Sequence, residues 1–149
     1  MNISPEGIAF IERNEGYVAH AHAYADAGGQ SIGFGHKILP GEDFPHGVTR
    51  EQAEAILRED VTKVETVLAH LVPPDCTQGQ WDALCDFGYN LGTAALRTML
   101  AHGWDQVTTQ MLRWSNIGQE LSLGLLARRK AEVAMFLDNS VESRASGGA

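Results

Sequence analysis

The chain has 149 residues, of which 44% are hydrophobic and 20% charged, and its formal net charge at pH 7 is −8. This length lets a single domain bury a core without help from disulfides or a metal ion. Nucleic acid is excluded as an expected partner and attraction to an anionic membrane is disfavoured, because both need a basic surface.

The first segment, MNISPEGIAFIERNEG, lacks the basic region and the small-residue cleavage site of a signal peptide. Ser4 suits an N-cap and Pro5 suits the first turn of a helix, which we predict to run to Asn14 or Glu15 and to end at Gly16. No apolar run approaches the roughly 20 residues that a membrane-spanning helix needs. We therefore expect a soluble protein, made in a cytoplasm, without stable membrane insertion.

Residues 17 to 39 show no helical period, and glycines cluster between positions 28 and 35. Ile32, Phe34 and Ile38 fall on alternating positions, which is typical of short strands joined by tight turns. We predict a small β region here.

Two capping boxes predict the starts of two helices, one formed by Thr49 with Gln52 and the other by Thr77 with Gln80. The first helix should end before Pro73. Its predicted apolar stripe is Ile56, Val64, Val67, Leu68 and Leu71, and that of the second helix is Trp81, Leu84, Cys85 and Gly88.

Shorter helices are predicted over residues 93–101, 104–114 and 124–137, with Gly103 and the segment SNIGQELSLG as separators. Residues 1–137 are predicted to form one domain, because no internal repeat or long linker divides them. The tail, residues 138–149, has Val141 as its one large apolar residue and is predicted to be disordered. Cys76 and Cys85 are expected to be reduced thiols.

Glu15 is the first candidate catalytic residue. It follows Ile8 and Ile11 at helical spacing, so it projects from the face that these residues bury. Partial burial and the negative end of the helix dipole both disfavour the charged carboxylate there. A carboxylic acid that keeps its proton near neutral pH suits general acid catalysis.

Asp26 and Ser31 follow in the glycine-rich segment. We expect Asp26 to be exposed and ionised, and the Ser31 hydroxyl can hold a water molecule. Two carboxyl groups in contrasting environments are the pattern of glycoside hydrolysis. These features alone leave an alternative open, in which Glu15 caps a helix end and Asp26 is an ordinary turn residue.

Three segments, in this order, resemble phage-type lysozymes, the family-24 glycoside hydrolases that include many endolysins. The first combines EG, AYAD and SIGFGH, the second is TQGQWDALCDFGYNLGTAALRTML, and the third is GLLARRKAEVAMFL. Together they span about residues 5 to 137. The resemblance implies an α+β, mainly α, lysozyme-like fold, with a small N-terminal β lobe, a helical C-terminal lobe and a cleft between them.

Position by position, the resemblance implies that Glu15 is the general acid and Asp26 the second carboxylate, which assists the attacking water or stabilises the oxocarbenium-like transition state. Ser31 stands where the family usually has threonine, and Asn90 is implied as a sugar contact through its amide. The segment between Glu15 and Asp26 is a couple of residues longer than usual, and the one between Asp26 and Ser31 is one residue shorter.

Two further residues have implied structural roles near the site. His36 is expected to make a hydrogen bond that joins the β region to the rest of the molecule. Arg128 aligns with an arginine that approaches the catalytic glutamate in the resembling proteins, although Arg128 and Arg129 could instead form a surface charge pair. His20 and His22 alternate, but two histidines are weak evidence for zinc, and no metal site is predicted.

The implied reaction is hydrolysis of the β-1,4 bond between N-acetylmuramic acid and N-acetylglucosamine in peptidoglycan, with inversion and without a cofactor. We expect a monomer. A phage or prophage enzyme without an export signal would depend on a separate membrane pore, a holin, to reach the cell wall in the periplasm. The alternative from another class is a lysozyme-like module that binds peptidoglycan without cleaving it.

Overall fold

The computed structural model describes residues 1–23 and 29–138, so Asp26 and residues 139–149 of the predicted tail lie outside the described residues. The described chain forms a small three-stranded sheet, a two-stranded hairpin and a helical body. In chain order the elements are α1 Pro5–Glu15, β1 Val18–Ala23, β2 Gln30–Gly33, β3 His36–Lys37, α2 Arg50–Leu68, α3 Gln78–Leu91, α4 Thr93–Leu100, a 3-10 turn Trp104–Gln106, α5 Val107–Leu112, β4 Asn116–Ile117, β5 Glu120–Leu121 and α6 Leu123–Leu137.

Helix α1 begins and ends where the sequence predicts. The Ser4 hydroxyl accepts a hydrogen bond from the Gly7 amide at 3.0 Å and donates to the Asp82 carboxylate. At the other end Gly16 adopts φ 71°, and its amide donates to the carbonyl of Glu12 at 2.9 Å. The first helix is thereby capped at both ends and tied to α3.

The predicted β region is confirmed as an antiparallel sheet in the order β1-β2-β3. Ile32 and Phe34 turn inward and are buried. The Phe34 carbonyl accepts a hydrogen bond from the Tyr89 hydroxyl of α3 at 2.6 Å. The Tyr17 hydroxyl donates to the carbonyl of Val48 at 2.6 Å. These two tyrosines join the sheet to the helical body.

Both predicted capping boxes are present, at the starts of α2 and α3. The predicted stripe of α2 is partly wrong, because Ile56, Val67 and Leu71 are only half-buried. The residues that α2 buries are Ala53, Leu57, Val61, Val64 and Leu68. Ala53 is buried because the sheet approaches α2 there, and a Cβ built on Gly33 would lie 3.1 Å from the Ala53 Cβ.

Helix α3 is the central element of the fold, and it packs against α1, α2, α4 and α6. All of its residues from 81 to 88 are buried, so the predicted one-sided stripe describes only part of its surface. A Cβ built on Gly88 would lie 2.5 Å from the Val64 Cγ1. The absence of a side chain at Gly88 therefore lets α2 and α3 approach closely. Cys76 and Cys85 are both buried as thiols.

The C-terminal third differs from the prediction in detail. The helix predicted over 104–114 is a 3-10 turn followed by the short α5, which ends at Leu112. The segment expected only as a separator contains the hairpin β4–β5, closed at Gly118 with φ 62°. A positive φ at a two-residue turn matches the twist of the paired strands. Within residues 1–23 and 29–138, no helix combines the length and apolarity needed to cross a bilayer.

Candidate active site

A cavity of about 320 Å³ lies between the sheet and the helices α1 and α3. Three of the residues predicted for the site, Glu15, Ser31 and Asn90, line it together. They come from the end of α1, from β2 and from the end of α3. The other lining residues are Gly16, Val18, His22, Gly33, Gly35, Lys37 and Tyr89.

Glu15 is the last residue of α1, and its side chain is 20% exposed. The turn after β2 packs directly on its carboxylate. A Cβ built on Gly35, which has φ 82°, would lie 2.7 Å from Glu15 Oε2. Gly35 therefore serves the site as well as the turn, because a side chain there would displace the carboxylate.

Arg128 of α6 lies beside this carboxylate, with its Nη1 2.8 Å from Glu15 Oε1. Its Nε and Nη2 donate to the two carboxylate oxygens of buried Asp86 at 2.9 and 2.7 Å. Burial opposes the charge on Arg128, but Asp86 and Glu15 outweigh that effect, so the pKa of the guanidinium is raised. Arg128 is thus a fixed cation held between two carboxylates, not part of a surface charge pair.

Ser31 is 6% exposed, and in the sheet it lies opposite His22 of β1. The Ser31 Oγ is 3.5 Å from the His22 Nε2, a long contact. Sequence reasoning does not place His22 in the cleft. The ladder is irregular between Val18 and His22, so strict alternation does not predict which way the two histidines point.

His20 lies elsewhere, against the turn at Gly47. In the part of the chain that the structure describes, no three histidine, cysteine, aspartate or glutamate side chains are grouped to hold a metal ion. Asp26 falls outside that part of the chain, so its distance from Glu15 and Ser31 stays a prediction.

His36 lies beyond the cleft wall, where it joins β3 to α2. Its Nδ1 is 2.6 Å from Asp60 Oδ2 and its Nε2 is 2.9 Å from Glu42 Oε1. Burial disfavours the charged ring, but the hydrogen bonds to the two carboxylates prevail and raise its pKa. This contact is of the kind that the resemblance implies for His36.

A second group of buried polar residues lies behind Asn90, and sequence reasoning misses it. The Asn90 Oδ1 accepts from the Arg129 Nη2 at 2.7 Å, and the same nitrogen donates to Glu132 Oε1 at 2.7 Å. Burial and the neighbouring Asp86 carboxylate raise the pKa of Glu132 to about 10, while burial lowers that of Arg129. The one sequence signal for this group is the polar Asp86 within the apolar run ALCDFGY.

A helix-end carboxylate in a cleft between a small sheet and a helical body is consistent with the acid of a lysozyme-type glycoside hydrolase. The phage lysozyme family model matches residues 12–132, and the chain belongs to this family.

Similar proteins agree with this membership. The endolysin of Acyrthosiphon pisum secondary endosymbiont phage 1 is 33% identical over 91% of this chain and 98% of its own length. The endolysin of Salmonella phage P22 is also 33% identical, over 92% of this chain and 99% of its own. The solved structure of an endolysin from Escherichia coli O157:H7 phage FAHEc1 has a TM-score of 0.79 and 29% identity, covering 93% of this chain and 94% of that one. The family and fold expected from the three sequence segments are confirmed.

Proposed function

We propose that the protein acts as an endolysin that hydrolyses peptidoglycan at the β-1,4 bond between N-acetylmuramic acid and N-acetylglucosamine. The observation that carries this proposal is the position of Glu15, at a helix end in a cleft that also contains Ser31 and Asn90. Membership of the phage lysozyme family supports the reaction class. Both proteins named above with 33% identity are endolysins.

Glu15 is the general acid in this proposal, and its two oxygens have different surroundings. Oε1 faces the Arg128 Nη1 at 2.8 Å, and a guanidinium can only donate hydrogen bonds. Oε1 is therefore committed as an acceptor, so the transferable proton belongs on Oε2. Oε2 is the oxygen nearest to Gly35 in the cleft-lining turn, and from there it protonates the leaving glycosidic oxygen.

Asp26 is the proposed second carboxylate, and it assists a water molecule that attacks the opposite face of the sugar. Ser31 is proposed to orient this water through its hydroxyl, and Asn90 to contact the sugar through its amide. A displacement by water inverts the anomeric configuration, and it needs carboxyl groups about 6.5–9.5 Å apart. The chemistry of an acid, a base and a water requires no cofactor.

The test is lysis of outer-membrane-permeabilised Gram-negative cells, followed as loss of turbidity. Glu15→Gln keeps the shape of the side chain and removes the proton, so lysis should fall by roughly 10² to 10⁴-fold with the fold retained. Glu120→Gln, at an exposed position of the β4–β5 hairpin, is the matched control and should lyse like the wild type. A wild-type protein that binds cell walls without clearing them would favour the alternative, a peptidoglycan-binding module.

Stereochemistry tests the role of Asp26 separately. Proton NMR of the newly released reducing end, recorded before mutarotation, should show the α anomer first. A β anomer at that time would mean that Asp26 attacks the sugar directly, as in retaining enzymes.

We also propose that the protein works as a monomer, is made in the host cytoplasm and acts in the periplasm after a holin opens the membrane. Co-expression with and without a holin tests the last point. Lysis of the culture without any pore-forming partner would contradict it.

A further inference from the structure

Arg129 is fully buried in α6, yet one of its nitrogens reaches a residue that lines the cleft. Its Nη2 donates to Asn90 Oδ1 and to Glu132 Oε1, both at 2.7 Å. Its Cζ lies 5.0 Å from the centre of the Phe87 ring, within the range of a cation–π contact. Glu132, Phe87 and the surrounding core therefore fix the guanidinium independently of Asn90.

This contact decides which end of the Asn90 amide faces the substrate. A guanidinium has five N–H donors and no acceptor, so only the carbonyl oxygen of an amide can face it. The nitrogen of the same planar group then points away from Arg129. Since Asn90 lines the cavity with Glu15 and Ser31, the group left for the cleft is the NH₂.

Stability gives no sufficient reason for this buried pair. Arg129 Nε and Arg129 Nη1 have no hydrogen-bond partner among the described residues. A buried guanidinium is costly to desolvate, and N–H donors that are left unsatisfied add to that cost. A role in orienting a functional group accounts for the pair better.

We propose that Arg129, held by Glu132, is a positioning residue that locks the Asn90 amide so that it presents two N–H donors, and no acceptor, to the glycan. The substrate atom at this point is then an acceptor oxygen of the sugar chain. This inference rests on the proposed function, because it takes the cavity as the place where the glycan binds.

A double-mutant cycle on soluble, uncrosslinked peptidoglycan strands tests the inference. Arg129→Met combined with Glu132→Leu removes both members together, so that neither polar side chain is left buried without its partner. This double variant should raise KM roughly tenfold with kcat little changed, the size of one hydrogen bond. In an Asn90→Ala background, removal of the pair should change KM no further. An equal increase in both backgrounds would show a merely structural role and overturn the proposal.

A second measurement needs no activity. Nitrogen-15 relaxation of the Asn90 side-chain amide should show it to be rigid in the wild type and mobile in the double variant, while exposed Asn116 serves as the mobile reference. An Asn90 amide as mobile as that of Asn116 in the wild type would also overturn the proposal. If the wild type bound these strands, shifted the Asn90 amide signals and failed to cleave them, the proposed hydrolysis would fail while the positioning role stood.

Discussion

The guanidinium of Arg128 meets the carboxylate of Glu15 at 2.8 Å, and this contact joins the last residue of the first helix to the last helix. The guanidinium is not free to follow the carboxylate, because Asp86 holds it through two hydrogen bonds. The position of the proposed general acid is therefore set by residues far along the chain. Arg128→Lys tests this relationship, since it keeps the positive charge and removes the planar guanidinium with its several N–H donors.

A lysine ammonium cannot reproduce the paired hydrogen bonds to Asp86 while also contacting Glu15. Arg128→Lys should lower the free energy of unfolding by about 1.5–3 kcal/mol, the worth of a hydrogen bond to a charged group. It should also lower kcat by roughly tenfold or more through misplacement of Glu15. Urea denaturation and the turbidity assay measure the two effects. The control is Arg97→Lys at an exposed position, which should leave both values unchanged.

Gly35→Ala should abolish most activity. The substitution places a Cβ 2.7 Å from Glu15 Oε2 and also imposes a left-handed backbone on alanine. Gly41→Ala is a matched control, because Gly41 has φ 89° and a Cβ added there would have no other atom within 4 Å. Both variants should lose about 1–2 kcal/mol of stability from backbone strain, and only Gly35→Ala should lose lysis. Equal activity in the two variants would show that the close approach at Gly35 does not matter.

Substitutions of Ser31 test its proposed role in orienting the attacking water. Ser31→Thr keeps the hydroxyl and should retain activity, whereas Ser31→Ala should reduce kcat by roughly 10²-fold, the lower end for a group that positions a proton transfer. The contact of the buried hydroxyl with His22 is long, so its loss should cost little stability. Equal rates for wild type and Ser31→Ala would remove Ser31 from the mechanism.

His36 should make stability depend on pH. Its folded-state pKa lies above the ordinary value of 6.5, so the stabilisation is complete below that value and is lost as the pH rises through the raised one. The difference in unfolding free energy between the wild type and His36→Gln should therefore be largest near about pH 6 and shrink toward about pH 9. Denaturation by urea across this range measures it. The control substitution is His70→Gln, at an exposed histidine outside the contacts with Asp60 and Glu42.

Glu132 should make the free energy of unfolding fall as the pH rises toward alkaline values. Its pKa is raised from 4.5 to about 10, so the folded state holds a proton that the unfolded state releases, and stability falls as the pH rises through this interval. Glu132→Gln resembles the protonated acid and should remove that decline while keeping an acceptor for Arg129. Urea denaturation at a series of pH values measures the decline. Parallel pH curves for the two proteins would show that Glu132 is ionised in the fold.

Local signals predict the parts of the fold that depend on neighbouring residues. Ser4, Thr49 and Thr77 cap helices through contacts three residues away, and that spacing is visible in the sequence. The α2 stripe is predicted less well, because the large Ile56 carries more weight than Ala53, and only the close approach of Gly33 shows why a small residue is buried there.

The site residues also fall into those that the sequence predicts and those that it misses. Residues near each other in the chain, such as Glu15 and Ser31, are suggested by their types and spacing, and the resemblance adds Asn90 and Arg128. The buried group behind them is missed because its contacts cross the structure. Asp86 and Arg128 are 42 residues apart, and Asn90 and Arg129 are 39 apart. Periodicity within one helix carries no information on which charge faces it from another.

The burial of α3 on all sides, from residue 81 to residue 88, has a consequence for hydrogen exchange. Amides of an enclosed helix exchange with solvent only when the whole molecule opens, whereas those of a short sheet exchange through local openings. A ligand that binds only the folded protein lowers the population of the globally open state by a factor of 1 + [L]/Kd. Exchange rates in α3 therefore report the occupancy of a cleft that most of the helix does not touch.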